Sequence, residues 1–242
     1  MGQVDAAIDF KQAVNHCCGK NLLGCYHPAA KIVLDPTVLL SQSRRHRLNG
    51  LAEALKHGIV HSTELLDFIV NGGTVDDPAY LDGVVRRTIA VKVPTLTRYE
   101  ESDFNEMAPQ FGHAPAHAIE FLSWHGGSEA PLLHGEAVAI GICVSAEVAY
   151  AMGICDYKTK EEHYRVVESV GLPSCTPGDM DIDAIMAKLA YDKHTLTGKP
   201  TMGLLRSVGD MFERDGVYGQ PIETKVIRAA FQRNMIRGSK KL

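Results

Sequence analysis

The stretch GEAVAIGICVSAEVAYAM, residues 135–152, is rich in alanine, glycine and branched apolar side chains, and Glu147 interrupts its apolar run. Because apolar residues fall on every side of such a helix, the pattern is typical of a helix buried in a globular core. The alternative is a membrane span, but Glu147 and two glycines in so short a run favour the buried helix. We therefore expect a helix over 135–152, around which the domain is built.

Apolar residues recur at spacings of three and four outside this stretch, as in Leu48, Leu51, Leu55 and Ile59. That period predicts amphipathic helices. The predicted elements are helices over 48–59, 65–69, 80–97, 111–124, 158–169, 182–190 and 222–233, a short strand over 31–35, an acidic loop over 99–107, and a β-hairpin formed by 201–205 and 210–213. The predicted fold class is mainly α with a small β-hairpin, and residues 1–242 are expected to form a single domain.

With 45% apolar and 22% charged residues, the composition excludes a disordered, collagen-like or coiled-coil chain. The net charge of −4 does not indicate binding to nucleic acid or to an anionic membrane. Six cysteines form no CxxC pair and no signal peptide is present, so we expect reduced thiols in a cytoplasmic protein. No GxGxxG or P-loop motif occurs, so the chain by itself is not expected to cradle a dinucleotide.

Glu53 and Lys56 lie three residues apart in the predicted 48–59 helix and therefore on one face. One interpretation is an exposed ion pair on the surface of the domain. The flanking residues are small and apolar, which instead favours a packed face, and a packed glutamate needs a partner.

Histidines supply the second candidate group. His113 and His117 are one helical turn apart, a spacing that suits two metal ligands, or one ligand and one acid–base group. His134 stands just before the buried helix, where its simplest role is that of an N-cap. One carboxylate and two imidazoles with an open position form a known catalytic zinc arrangement, so Glu53, His113 and His134 are candidate ligands.

Five lysines lie in apolar or glycine-containing contexts: Lys11, Lys20, Lys56, Lys92 and Lys193. Several converging lysines suit a phosphorylated, anionic small substrate. Each of them taken alone also fits a solvated surface position.

Four motifs follow one another along the chain: VDAAIDFK (4–11) with GKNLLG (19–24), NGLAEALK (49–56), FGHAPAHAIE (111–120) and HGEAVAIG (134–141). In this order they resemble the 3-dehydroquinate synthase family of sugar-phosphate cyclases. The segment YDK (191–193) and the hairpin are similar to the C-terminal part of that family.

The resemblance implies a divalent metal, zinc or cobalt, on Glu53, His113 and His134. It implies a phosphorylated sugar surrounded by Lys11, Lys56, Lys92, His117 and Lys193, and the nicotinamide end of NAD near Asp5, Lys20 and Asn21. Family members are carbon–oxygen lyases that oxidise a ring hydroxyl with NAD⁺, eliminate phosphate, reduce the ketone and close a carbocycle by aldol addition. The chain resembles only their helical, metal-binding C-terminal domain, so we expect an N-terminal NAD-binding partner, and a homodimer.

Two positions depart from the pattern of true dehydroquinate synthases. These carry Arg and Asn seven and three positions before the first motif histidine, where this chain has Glu106 and Gln110. Since that Arg is implied to hold the substrate carboxylate, Glu106 favours a substrate without one. The KQAVN segment (11–15) and the AYD segment (190–192) resemble 2-deoxy-scyllo-inosose synthases, which use glucose 6-phosphate.

Three alternatives stay open at this point. The chain could be a true 3-dehydroquinate synthase of the shikimate pathway. It could be a metal-dependent polyol dehydrogenase, although such enzymes need no lysine-rich phosphate clamp. It could also be a metal-binding subunit without catalytic activity.

Overall fold

The computed structural model describes residues 2–9, 11–16, 19–97, 102–126, 130–190, 195–196 and 199–240. Within these residues lie nine α-helices: α1 Arg44–His61, α2 Thr63–Asn71, α3 Pro78–Thr97, α4 Asp103–Met107, α5 His113–His125, α6 His134–Ala151, α7 Tyr157–Ser169, α8 Ile182–Leu189 and α9 Thr224–Ser239. The prediction of a mainly α domain is confirmed, and every predicted helix is present with its ends shifted by a few residues.

Side-chain caps fix where the helices start. Ser43 caps α1, Ser62 caps α2 and Asp156 caps α7, each by accepting a hydrogen bond from a backbone N–H of the first turn. Such caps satisfy donors that have no partner inside the helix. Pro78 opens α3 at the position where its missing N–H and fixed φ are tolerated.

Helix α6 is the centre of the core, as the sequence predicts. Every residue from Gly135 to Ala149 is buried, and α6 contacts α1, α5, α7 and α9. In the part of the chain that the structure describes, no helix is long and apolar enough to cross a membrane.

Two glycines allow the backbone of α6 to contact the backbone of neighbouring segments directly. A Cβ on Gly135 would lie 1.9 Å from the carbonyl oxygen of Asn49 in α1. A Cβ on Gly141 would lie 2.1 Å from the carbonyl oxygen of Gly112, which precedes α5 with a φ of +78°. Since any other side chain would push these segments apart, Gly135 allows the start of α6 to pack against α1, and Gly141 allows the start of α5 to pack against α6.

The strands are short and lie at the edges of the helical body. Antiparallel β1 Lys11–His16 and β2 Gly19–Tyr26 form one hairpin, β5 Leu205–Ser207 and β6 Asp210–Met211 form another, and a three-stranded sheet has the order β3 Thr195–Leu196, β4 Lys199–Met202 and β7 Gln220–Pro221. The predicted hairpin around Ser207-Val208-Gly209 is confirmed, with shorter strands. Its predicted first residues, Thr201 and Met202, belong instead to β4 and pair with β7.

Two local predictions are wrong. Residues 31–35 form no strand, because Asp35 accepts the Thr37 N–H and caps a 3-10 helix, Pro36–Ser41. The acidic segment 99–107 is not all loop, because Ser102 caps the short helix α4. In both places a side-chain cap starts a helix that the apolar or acidic composition of the segment does not predict.

No disulfide forms among the described cysteines, Cys25, Cys143, Cys155 and Cys175, as the expectation of reduced thiols requires. Cys17 and Cys18 lie outside the described residues.

Candidate metal centre

Three helices bring Glu53, His113 and His134 to one point. Each offers a ligand atom, and the three atoms lie within 4.8 Å of one another. The Glu53 Oε1 atom is 3.5 Å from His113 Nε2 and 3.4 Å from His134 Nε2. Residues 60 and 21 positions apart in the chain therefore converge, because α6 packs against both α1 and α5.

Hydrogen bonds behind the two imidazoles aim their Nε2 atoms at Glu53. The His134 Nδ1 atom lies 2.9 Å from Glu120 Oε2, and His113 Nδ1 lies 3.3 Å from the carbonyl oxygen of Phe111. When each Nδ1 donates to its oxygen, each Nε2 is left as the nitrogen available to a metal. Carboxylate or carbonyl partners of this kind orient and strengthen metal-binding histidines.

The Glu53 carboxylate has one satisfied and one unsatisfied oxygen. Oε2 accepts a hydrogen bond of 2.5 Å from the Lys56 ammonium, whereas buried Oε1 accepts none among the described residues. An unpaired buried acceptor costs about 1–3 kcal/mol. A divalent cation bound to Oε1 and the two Nε2 atoms would remove that cost, so the donor set fits such an ion.

The Glu53–Lys56 pair is buried, which excludes the exposed ion pair considered from the sequence. The two side chains are 7% and 2% exposed, and Lys56 Nζ also donates to the Pro109 carbonyl at 2.7 Å. Burial opposes ionisation of Glu53, but the Lys56 ammonium holds the pKa of that carboxyl well below its usual range. Glu53 is therefore an anion despite its burial.

The two histidine ligand candidates differ in protonation. Burial beside the Lys56 ammonium keeps the pKa of His113 well below its ordinary value, so His113 is neutral. Burial alone would lower the pKa of His134 too, but the carboxylates of Glu120 and Glu53 raise it to about 9. Without a metal, His134 therefore holds a proton where the cation would bind.

The cluster opens toward solvent on one side. The His134 side chain is 33% exposed, against 12% for His113. The ring of His117 completes the rim, with its centroid 5.5 Å from that of His113 and 6.3 Å from that of His134. The predicted N-cap role of His134 is wrong, because Leu133 is the N-cap and His134 is the first residue of α6.

Lys92 and Asp5 contact each other. Lys92 on α3 is buried, and its ammonium pairs with Asp5 and, at 2.8 Å, with Asp9. Burial alone would lower the pKa of Lys92, but these two carboxylates raise it above its ordinary value. Asp9 is absent from the sequence-based site, because nothing in its spacing distinguishes it from a surface aspartate.

Four predicted site residues have side chains outside the described part. Lys11 begins β1, and Lys20 and Asn21 lie in β2, so only their backbone is placed. Lys193 falls outside the described residues. Glu120, which contacts His134, was missed as a site residue although it follows His117 by three positions within the quoted motif.

Comparison with known families decides the assignment. The model of the 3-dehydroquinate synthase C-terminal domain matches residues 50–195, and that of the N-terminal domain matches residues 1–49. The chain belongs to the 3-dehydroquinate synthase family. The resemblance seen in the sequence motifs is thus confirmed.

Curated 3-dehydroquinate synthases are similar over most of the chain. The enzyme of Nostoc punctiforme is 30% identical over 222 residues, which cover 90% of this chain and 60% of the relative. The enzyme of Synechococcus sp. (strain CC9605) is 31% identical over 227 residues, covering 92% and 60%. The chain therefore spans about 60% of the length of these relatives.

Solved structures of the family share the fold. A 2-deoxy-scyllo-inosose synthase complexed with carbaglucose-6-phosphate, NAD⁺ and Co²⁺ superposes with a TM-score of 0.84 at 24% identity, covering 96% of this chain and 64% of that one. A 2-epi-5-epi-valiolone synthase from Streptomyces hygroscopicus subsp. jinggangensis with NAD⁺ and Zn²⁺ bound gives 0.81 at 29% identity, covering 98% and 64%. Another 2-deoxy-scyllo-inosose synthase structure gives 0.80 at 26% identity, covering 96% and 63%.

The two family models meet inside the NGLAEALK motif (49–56), which contains Glu53. The N-terminal match ends at Asn49 and the C-terminal match starts at Gly50, both in α1. Residues 1–49 thus include the β1–β2 hairpin and Asp5. That residues 1–242 form one catalytic domain stays a prediction.

Proposed function

We propose that this chain supplies the metal-binding and substrate-binding part of a sugar-phosphate cyclase. The observation that carries the proposal is the convergence of Glu53, His113 and His134 around the buried Glu53 Oε1 atom, which accepts no hydrogen bond from the residues that the structure describes. Support comes from the 29% identical valiolone synthase, whose structure has NAD⁺ and Zn²⁺ bound.

Glu53 Oε1, His113 Nε2 and His134 Nε2 would hold the divalent ion. When bound, zinc or cobalt supplies a Lewis acid that orients a sugar and polarises its hydroxyl groups. Lys56 keeps Glu53 ionised through its 2.5 Å hydrogen bond, and Glu120 holds the His134 ring in place. His134, more exposed than the other two, marks the side on which a sugar would enter.

Proton transfer falls to His117 in this proposal. Its half-buried ring borders the rings of His113 and His134, and it is not one of the three converging donors. An imidazole in this place can take a proton from a substrate hydroxyl or carbon and return it.

Cationic side chains would hold the phosphate group. Lys56 and Lys92 are charged and buried, so their fields are less screened than those of surface lysines. Lys11 and Lys193 complete the proposed set on the basis of the family resemblance. Charge-assisted hydrogen bonds from such a group bind phosphate and stabilise negative charge that develops as it leaves.

The nicotinamide end of NAD would lie near Asp5, Lys20 and Asn21. Of these, Asp5 is placed beside buried Lys92, so a dinucleotide in that position would approach the substrate lysines. Because the chain spans about 60% of its curated relatives, we propose that a nucleotide-binding domain of the family completes the NAD site.

Two substrates compete within this proposal. Glu106 is exposed on α4, close in sequence to α5, and favours a sugar phosphate without a carboxylate, such as glucose 6-phosphate. Two charges ~4 Å apart interact by roughly 4 kcal/mol at an effective dielectric of about 20, which is enough to decide specificity. The second candidate is the heptulosonate phosphate of 3-dehydroquinate synthesis, favoured by curated relatives that are 30% and 31% identical.

Phosphate release tests the proposal. The chain, alone and mixed with the nucleotide-binding domain of a relative, is supplied with NAD⁺, Co²⁺ and one of three substrates: glucose 6-phosphate, sedoheptulose 7-phosphate or the heptulosonate phosphate. We expect NAD⁺-dependent phosphate release that is lost in His113→Ala and kept in a variant of exposed His27, His27→Gln.

Other outcomes would assign a different function. Accumulation of NADH without phosphate release would indicate a polyol dehydrogenase. Metal uptake without turnover of any of the three sugars would indicate a metal-binding subunit. Preferred turnover of the heptulosonate phosphate would remove the role given to Glu106.

A further inference from the structure

Three residues of α1 face the first turn of α6. Arg45, Asn49 and Glu53 follow one another at intervals of four, so they form one stripe along the helix. Their partners on α6 run in the opposite order: Arg45 binds Glu136, Asn49 binds Gly135 and Glu136, and Glu53 meets His134. The metal ligand Glu53 thus belongs to a larger contact between the two helices.

Asn49 holds the backbone at the start of α6. Its side-chain oxygen accepts the Gly135 N–H at 2.6 Å and the Glu136 N–H at 3.3 Å. Leu133, the N-cap of α6, has no side chain that can accept these donors. Asn49 on α1 therefore accepts the first-turn N–H groups of α6, a role that an N-cap side chain usually fills.

Arg45 and Glu136 lock the same turn. The Arg45 guanidinium binds both carboxylate oxygens of Glu136 at 2.7 Å and donates to the Pro131 carbonyl at 2.9 Å. Glu136 in turn accepts the Leu133 N–H at 2.9 Å. A bidentate pair fixes direction as well as distance, so the turn cannot rotate freely against α1.

We propose that Asn49, assisted by Arg45, is a positioning residue that sets His134 at ligand distance from Glu53. The proposal rests on the proposed metal site. His134 is the first residue of α6, a place where helices fray, and its side chain is one-third exposed. Its backbone is followed directly by the two N–H groups that Asn49 holds, so releasing them would free the ligand.

The test compares Co²⁺ binding by variants of the full chain. Asn49→Ala removes the acceptor, whereas Asn49→Asp keeps an acceptor of the same size and complements the helix dipole. The matched control is Asn234→Ala, because buried Asn234 likewise accepts a backbone N–H, that of Thr176 at 2.7 Å, away from the ligand set. Urea unfolding of the metal-free proteins gives the structural cost of each change.

We expect Asn49→Ala to raise the Kd for Co²⁺ about tenfold or more and to weaken the cobalt d–d absorption bands, in line with the ~10–100-fold effects of outer-shell changes. Asn49→Asp should stay within about threefold of the unmodified chain, and Asn234→Ala should lose stability without losing affinity. If Asn49→Ala does not fold, Arg45→Gln replaces it, and we expect an increase in Kd of several-fold. A folded Asn49→Ala or Arg45→Gln with unchanged Kd would overturn the proposal.

A metal-independent readout separates this proposal from the metal site itself. The ¹⁵N shifts of the His134 ring in the metal-free chain report whether it still meets Glu120 and Glu53. We expect Asn49→Ala to move these shifts and Asn234→Ala to leave them unchanged. If the unmodified chain binds no Co²⁺, the metal site fails, while unmoved His134 shifts in Asn49→Ala would refute the positioning role.

Discussion

Glu120 Oε2 lies 2.9 Å from His134 Nδ1, on the side of the ring opposite to Glu53. The two residues come from different helices, α5 and α6, so this contact joins the two histidine-bearing elements of the candidate centre. It also explains why His134 stays protonated without a metal, since carboxylates on both sides outweigh burial and raise its pKa to about 9.

Removing the charge of Glu120 should weaken metal binding. The Glu120 carboxylate orients His134 and makes its ring a more basic ligand. Glu120→Gln removes both effects, so we expect a Kd for Co²⁺ about tenfold higher. Glu162→Gln is the control, because Glu162 pairs with Arg165 on the outer surface of α7. Equal Kd values for the two variants would show that Glu120 does not support the ligand.

Lys56 should matter for folding as well as for the site. Lys56→Met leaves the buried Glu53 anion without its ammonium partner, which typically costs about 3–5 kcal/mol. Urea unfolding of metal-free protein measures this loss. Arg86→Gln breaks an exposed pair with Asp82 and should have little effect, so similar losses in both variants would contradict the buried-pair interpretation.

Acid should destabilise the fold through its buried histidines. Burial is the main cause that lowers the pKa of His57, His61 and His163 below the ordinary 6.5, for His61 to about 4. Below pH 6.5 the unfolded chain takes up protons that the folded chain does not, so the free energy of unfolding falls as the pH drops toward 4.

One variant isolates this effect. His61→Gln should flatten the decline in unfolding free energy by up to about 1.4 kcal/mol per pH unit between pH 6 and 4.5. The measurement is urea unfolding at several pH values, with exposed His27→Gln as the control. If the unfolding free energy of His61→Gln has the same pH slope as that of the control, then His61 has the same pKa in the folded and unfolded states.

Gly135 should not tolerate a side chain. Gly135→Ala places a Cβ 1.9 Å from the Asn49 carbonyl oxygen, so α6 must move away from α1. We expect a loss of about 1–3 kcal/mol, as for other overpacked sites, together with weaker Co²⁺ binding. Gly178→Ala is the matched control, because nothing lies within 4 Å of its added Cβ. Equal stability of the two variants would contradict the close contact.

The helices and the ligand set were predictable for different reasons. The period of apolar residues indicates α1 and α6, because burial of one face or of all faces leaves a direct trace in sequence. The convergence of Glu53, His113 and His134 leaves no such trace, since their separation in sequence says nothing about distance. Their side-chain chemistry makes them candidate ligands, and the order of the family motifs adds the reason to group them.

Other parts could not be read from residue patterns. The strand predicted over 31–35 is absent, because Asp35 caps a 3-10 helix directly after the apolar run that suggests a strand. The roles of Asn49 and Gly135 depend on an approach between helices 86 positions apart, which only the fold reveals. The sequence likewise indicates only a substrate-binding role for Lys92. Its ion pair with Asp9 is a tertiary contact, which spacing in the sequence does not predict.

Anomalous diffraction from crystals of the Co²⁺-loaded chain, recorded at the cobalt edge, tests the metal centre most directly. The account predicts one strong peak per chain at ~2.0–2.2 Å from Glu53 Oε1, His113 Nε2 and His134 Nε2, the range of distances at which such ligands bind a divalent ion. A map with cobalt bound elsewhere, or with no peak among these three atoms, would contradict it.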